Sequence, residues 1–140
     1  MIKIIEGPID VNAVIRDATG NECGAVVLFL GTVRNANEGK RVREIHYESY
    51  KKMSEKRLRE IADETRKKWK TKRVSIVHRV GRLKVGEISV AIASGAPHRK
   101  EAFEACRYAI EQIKVYLPIW KQEFFKTGKA WVSGRKIKNS

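Results

Sequence analysis

The chain has little of what marks a secreted, zinc-binding or membrane protein. It contains two cysteines, Cys23 and Cys106, which are far apart and form no CxxC pair. This argues against a disulfide framework and a zinc site, so we interpret both as small buried side chains. No apolar run approaches the ~20 residues of a membrane-spanning helix, and the N-terminus lacks the apolar core of a signal peptide. We therefore expect a cytoplasmic protein that does not bind membranes.

Several catalytic motifs are also absent. The carboxylates form no acid–base pair at recognisable spacing, and there is no metal-ligand cluster, glycine-rich phosphate loop or nucleophile elbow. Internal repeats and long linkers are missing as well, so residues 1–140 are expected to form one domain. A chain of 140 residues with 42% hydrophobic and 33% charged residues is long and apolar enough for a core of its own.

What the chain has in excess is positive charge. Its 30 basic residues outnumber 16 acidic ones, and residues 51–73 alone hold eleven basic against four acidic side chains. Leu58, Ile61 and Trp69 recur there at helical spacing, which predicts an amphipathic helix with a basic outer face. Such a face suits nucleic acid or an acidic partner, but an ordinary solvated helix face explains it as well.

The patterns of the remaining segments predict an α+β fold with a mostly antiparallel sheet and two long helices. Strand-like apolar patterns occur at residues 2–5, 25–33, 42–50, 74–80, 88–92 and 130–132. The continuous run 25–33 is typical of a buried central strand. A turn is expected around Gly81 and Gly86, and Asp10 is a candidate N-cap of a short helix. The polar stretch 34–41 predicts a mobile loop.

The second long helix is expected to begin at Pro97, which suits a first helical position. His98, Arg99 and Lys100 follow it, although the helix dipole already makes this end positive. One explanation is an anion site in which helix amides and the Arg99 guanidinium bind together. Exposed basic residues that are offset by nearby glutamates explain the pattern equally well.

Two lysines near the other end of this stretch lie among apolar residues. Lys114 could share a helix side with the anion site, or it could extend from a helix edge into water. Lys121 lies between Trp120 and Phe124, where a partly apolar pocket would lower its pKa. Such an amine serves as general acid or base, nucleophile or charge stabiliser.

Arg34 and His78 are two further side chains whose chemistry could serve a site. Arg34 follows the apolar run and could point into the same pocket, with residues 34–41 as a flap. His78 lies on an apolar alternating face, and we interpret it as a core or interface histidine.

Four segments carry a resemblance to one family. They read GAVVLFLGTVRNANEGKRV from Gly24, HYESYKKMSEKRL, VSIVHRVGRLKVGEISVAIAS, and PHRKEAF through PIWKQE. In this order and spacing, from about Gly24 to Arg135, the chain resembles the large, catalytic subunit of molybdopterin synthase, the MoaE family.

The resemblance implies a fold of the α/β hammerhead type and a sulfurtransferase activity. The family moves sulfur onto cyclic pyranopterin monophosphate and so forms the dithiolene of molybdopterin. The sulfur arrives as a thiocarboxylate on the C-terminal tail of a small ubiquitin-like (MoaD-like) subunit. A homodimer of large subunits binds two small ones to give a heterotetramer. No cofactor is implied, since molybdopterin is the product and the precursor of the molybdenum cofactor.

The resemblance also implies site residues. Lys114 and Lys121 are the catalytic lysines, and the residues expected to bind the pterin phosphate are Arg34, His98, Arg99 and Arg135. As a hypothesis, Lys114 stabilises charge on the sulfur donor and Lys121 transfers protons at the pterin carbons.

Two other classes of function are weighed against this enzyme. A nucleic-acid-binding module would use residues 51–73, but the sequence has no recognised binding motif and no stacking aromatics interleaved with that basic run. Nucleic acid is therefore not the expected partner. A non-catalytic scaffold that binds a ubiquitin-like tail would have no need of Lys114 and Lys121.

Overall fold

The computed structural model describes residues 1–71, 73–125 and 128–132, and only the backbone in the last range. The described helices are α1 (Val11–Asp17), α2 (Lys51–Trp69) and α3 (Arg99–Tyr116). The described strands are β1 (Ile2–Glu6), β2 (Ala25–Thr32), β3 (Ala36–Asn37), β4 (Lys40–Ser49), β5 (Arg73–Lys84), β6 (Ile88–Ala96), β7 (Ile119–Phe125) and β8 (Gly128–Val132).

Most strand pairs are antiparallel, so the α+β prediction is confirmed. Hydrogen-bonded neighbours follow the order β2-β6-β5-β4-β7-β8, while β1 pairs with β5 in parallel and β3 pairs with β4. β5 changes partner along its length, from β6 at Arg73–His78 to β4 at Gly81–Lys84. Gly81 has a φ of +95° at this change, which only glycine adopts without strain. The predicted turn at Gly81 is therefore wrong, and the chain turns at Gly86.

The two long helices pack antiparallel against one face of the sheet. At one end the Trp69 indole nitrogen donates to Glu104 Oε2 over 2.7 Å, and at the other the Arg57 guanidinium lies 5.1 Å from the Tyr116 ring centroid. The core between helices and sheet is made of buried aliphatic side chains such as Leu58. The amphipathic character predicted for residues 51–73 is confirmed, because α2 buries one face and exposes most of its basic residues.

The short helix α1 covers the opposite face of the sheet. Asp10 is its N-cap, and its Oδ1 accepts a hydrogen bond from the Ala13 amide over 3.1 Å, as predicted. Val14 and Ala18 pack there on Val77 of β5, whose neighbour Ile76 faces the main core. This alternation is what strand geometry requires. None of the helices in the described residues has the length and apolarity that crossing a membrane requires.

Strand β2 differs from its prediction. It is an edge strand among the described residues, with β6 as its neighbour, whereas its apolar sequence predicted a central strand. Of its residues only Gly31 is buried, and Val26 and Leu30 are 37% and 38% exposed. Val27, Leu28 and Phe29 pack partly buried against the cores, but burial within one chain does not account for Val26 and Leu30.

Two strands, β3 and β7, occur where none was predicted. Residues 34–41 were expected to form a loop, but β3 pairs there with the first residues of β4. The turn residues of this tight hairpin, Glu38 and Gly39, have φ values of 51° and 76°. Positive φ at both positions is typical of the two-residue turns that connect hairpins. After Pro118 the chain continues as β7, which pairs with β4 and places Lys121 on a strand.

Candidate active site

A small cleft lies between the β3–β4 hairpin and strand β7. Its volume is only about 20 Å³, and it is lined by Thr32, Arg34, Ala36, Asn37, Val42, Ile45, Tyr47, Lys121 and Glu123. Tyr47 of β4 lies directly opposite Lys121 of β7 in the sheet. The cleft therefore includes two of the residues proposed from the sequence, Arg34 and Lys121.

Lys121 and Glu123 form a buried ion pair in this cleft. They lie two residues apart on β7 and so point to the same side of the strand. Each side chain is 2% exposed, and Lys121 Nζ lies 3.0 Å from Glu123 Oε2. The other carboxylate oxygen, Oε1, accepts a hydrogen bond from Asn37 Nδ2 over 2.7 Å. A buried ammonium is costly without such a counterion, so Glu123 offsets part of the cost of burying Lys121.

Lys114 lies in the last turn of α3 and interacts electrostatically with Lys121. Burial lowers its pKa to about 7, and the positive charge of Lys121 contributes to this lowering. An amine with this pKa exists in both protonation states near neutral pH, which suits proton transfer. The lowered pKa that the sequence suggested for Lys121 stays a prediction, and Lys121 has a carboxylate counterion in Glu123.

Two buried side chains next to the lysines are neutral near pH 7. Burial lowers the pKa of His78 to about 4, and the charge of Lys114 contributes. His78 Nδ1 lies 2.9 Å from the Arg79 carbonyl oxygen, and its ring lies edge-on to Tyr47 at a centroid distance of 5.5 Å. Burial raises the pKa of Tyr47 to about 12. His78 is thus a core histidine, as predicted, and it also borders the lysine site.

His98 and Arg99 lie at the opposite end of α3 from Lys114. Arg99 begins the helix and His98 is its N-cap, so Pro97 precedes the helix instead of starting it. Along the helix axis Arg99 and Lys114 are separated by roughly 22 Å. Both His98 and Arg99 are exposed. Within one chain, the structure does not bring them together with the lysines. Arg135 lies outside the described residues.

Most of the chain matches the model of a known protein family. The family model described as MoaE protein matches residues 4–116, about four fifths of the chain, including Arg34, His98, Arg99 and Lys114. The chain belongs to the MoaE family.

Relatives and solved structures agree with this MoaE assignment. A molybdopterin synthase catalytic subunit from Halalkalibacterium halodurans is 44% identical over 129 residues, which cover 92% of this chain and 83% of that protein. The crystal structure of molybdopterin synthase from Staphylococcus aureus matches with a TM-score of 0.91 and 41% identity, over 94% of this chain and 96% of that one. A chain from the complex of subunits 1 and 2 of molybdopterin-converting factor from Helicobacter pylori has the same fold. Its TM-score is 0.76 at 22% identity, over 96% and 91% of the two chains.

Sequence reasoning missed Glu123 and Asn37 of this MoaE chain. The spacing of Lys121 and Glu123 is itself a signal, because opposite charges two residues apart on a strand share one face. This spacing is informative only on a strand, and the sequence pattern of residues 119–125 does not predict one. No such local signal existed for Asn37, which is 86 residues from Glu123 in the chain.

The chemistry available in the cleft is that of amines and an arginine. Among the described residues no group of His, Cys, Asp or Glu is arranged to hold a metal ion. Cys106 is buried, as predicted, and burial raises the pKa of its thiol to about 11, so it is a poor nucleophile. Cys23 is only partly buried. The cleft therefore offers a guanidinium and a lysine amine, which suit an anion, and the amine that can exchange a proton near neutral pH is Lys114 outside its lining.

Proposed function

We propose that this chain is the catalytic subunit of a molybdopterin synthase. It would act as a sulfurtransferase that converts cyclic pyranopterin monophosphate to molybdopterin. The observation that carries the proposal is that two interacting lysines have different environments. Lys121 forms an ion pair with Glu123, and Lys114 has a pKa of about 7. The names of the MoaE relatives support it.

The structure favours a division of labour between the lysines that is the reverse of the one expected from the sequence. Lys121, which lies 3.0 Å from the Glu123 carboxylate, is suited to bind the anionic thiocarboxylate and to stabilise charge at its carbonyl oxygen. Lys114 is suited to accept and return a proton at the pterin carbon to which sulfur adds, because both of its protonation states are accessible near pH 7.

The sulfur donor in this proposal is a small ubiquitin-like subunit. Its C-terminal thiocarboxylate would enter the cleft beside Lys121, and two large and two small subunits would form a heterotetramer. The two-subunit complex from Helicobacter pylori supports a partner of this kind. Arg34 lies at the same cleft and is suited to bind the pterin phosphate.

We also propose that His98 and Arg99 reach this site from a second copy of the chain. β2 begins beside Pro97, with Ala25 opposite Ala96, and ends just before Arg34. When two β2 edges pair antiparallel about a two-fold axis, the start of one strand lies next to the end of the other. His98 and Arg99 of one copy then lie near Arg34 of the second, and the exposed apolar side chains of β2 become buried.

Reconstitution tests the proposed activity. The protein is mixed with a thiocarboxylated small subunit and the cyclic pterin, and dithiolene product is measured. We expect product with the wild-type chain and none with Lys114→Ala. Lys67→Ala is a matched control, since Lys67 is an exposed lysine in the last turn of α2, a helix that carries none of the proposed site residues.

The same reconstitution separates the two alternatives. Binding of the small subunit without product from the wild-type chain would indicate a scaffold. Affinity for nucleic acid that falls steeply with salt, without product, would indicate a nucleic-acid-binding module.

A further inference from the structure

Asn37 connects the β3–β4 hairpin to the buried ion pair of the cleft. It is the last residue of β3 and precedes the tight turn at Glu38 and Gly39. Its side-chain amide donates to Glu123 Oε1 over 2.7 Å. This bond crosses the cleft from the hairpin to β7, so it fixes the position of the hairpin relative to the lysine-bearing strand.

The two oxygens of Glu123 have different partners. Oε1 accepts from Asn37, and Oε2 lies 3.0 Å from Lys121 Nζ. A carboxylate that is held at one oxygen cannot rotate about its last side-chain bond without losing that contact. The amide of Asn37 therefore determines where the other oxygen, and with it the ammonium of Lys121, is held.

The chemical character of Asn37 suits this role. Its neutral amide donates to Glu123 without adding charge, so it leaves the negative charge of the carboxylate available to Lys121. A lysine or arginine at this position would compete with Lys121 for Glu123, and an aspartate would repel it. Arg34 lies two residues before β3, so the proposed phosphate-binding residue and Asn37 are close in the chain and line the same cleft.

We propose that Asn37 is a positioning residue that acts through Glu123 to hold the Lys121 ammonium in place for reaction. The catalytic part of this role rests on the proposed sulfur transfer. The effect of Asn37 on the mobility of Lys121 does not, because it depends only on the folded chain.

The first measurement follows the Lys121 ammonium directly. In the ¹⁵N-labelled full chain, a buried and ion-paired ammonium exchanges slowly with water and gives a side-chain N–H signal, which Lys121→Arg identifies. We expect Asn37→Ala to weaken or abolish this signal by faster exchange, and Asn37→Asp to do so more strongly. Asn35→Ala is the matched control, since Asn35 lies on the same hairpin and its side chain is exposed. Retention of the amide signal of Val42, which donates to the Asn35 carbonyl oxygen, shows that the hairpin is still formed.

The second measurement is kinetic and uses the reconstituted synthase. Misplacement of a catalytic group costs up to about 100-fold in rate, so we expect Asn37→Ala to lower kcat roughly 10-fold or more with KM little changed. The loss should not add to that of Glu123→Gln, because Asn37 acts through the same carboxylate. Asn35→Ala should keep wild-type kcat.

Several results would overturn the proposal. They are an unchanged Lys121 signal in Asn37→Ala, an unchanged kcat, and a double variant whose loss is the product of the two single losses. A wild-type chain that transfers no sulfur would refute the proposed function and the catalytic role together. The exchange measurement would still decide whether Asn37 holds Lys121.

Discussion

The two ends of helix α3 differ in how far their basic side chains are buried and in whether these side chains have counterions. At the C-terminal end, Lys114 is partly buried beside Lys121, whose counterion Glu123 lies two residues further along the same strand. At the N-terminal end, His98 and Arg99 are exposed, and His98 makes no side-chain cap bond to the helix. At the first end Lys121 has its counterion within the same chain, whereas among the described residues no ion pair or hydrogen bond holds the side chains of His98 and Arg99. This contrast is what a site shared between two copies would produce.

The largest effect is expected at the buried end. Lys121→Ala should abolish sulfur transfer and also destabilise the fold, because breaking a buried ion pair by removing one partner costs about 3–5 kcal/mol. Lys121→Met combined with Glu123→Gln separates the two effects, since it leaves no buried charge. The double variant should melt close to the wild type in a thermal unfolding experiment and remain inactive. Restored activity in that variant would contradict the role of Lys121.

Mixing Arg99→Ala with Lys121→Ala tests whether the exposed end works in a second copy, at a pterin concentration far below the raised KM of Arg99→Ala, where neither variant alone forms appreciable product. After subunit exchange between Arg99→Ala and Lys121→Ala chains, half of the dimers are hybrids, and each hybrid has one intact site. Product formation should therefore recover to roughly a quarter of the wild-type rate. Each variant mixed with itself is the control. No recovery, with hybrid dimers detected by mass spectrometry, would show that both residues act within one chain.

The protonation of Lys114 should appear in the pH dependence of stability. Its pKa is about 7 in the folded chain and 10.5 as the ordinary value, so between these pH values the unfolded chain binds more protons. Stability should consequently rise from pH 7 toward pH 10 on account of this residue. Lys114→Met should remove that rise and be more stable than the wild type at pH 7. Thermal unfolding across this range measures the difference, and parallel curves for the two proteins would argue against a lowered pKa.

The smallest effect on stability is expected at the exposed end. Arg99→Ala removes a cation from a helix N-terminus, so it should change the free energy of unfolding by less than about 1 kcal/mol, in the stabilising direction. In the reconstituted synthase the same variant should raise the KM for the pterin substrate, because a phosphate ligand is lost. Arg107→Ala, at an exposed position in the middle of α3, is the control for both measurements. An unchanged KM would remove Arg99 from the proposed site.

Local patterns predicted much of the fold. The amphipathic helix α2, the Asp10 cap and most strands follow from periodicity and capping, which depend on neighbours within a few residues. β7 was missed because the sequence from Ile119 to Phe125 has no clear alternation and follows a proline. β2 was placed at the centre of the sheet because its composition does not reveal that one of its edges has no neighbour in the described chain.

The sequence by itself singled out Lys114 and Lys121 as amines in apolar surroundings, and Arg99 as a cation at a helix start. Only the tertiary structure decided that Glu123 and Asn37 contact each other beside Lys121, that burial lowers the pKa of Lys114, and that Arg99 lies at the other end of α3 from Lys114. The physical reason is that burial and charge act through space. The groups that set them come from strands and hairpins far apart in the chain.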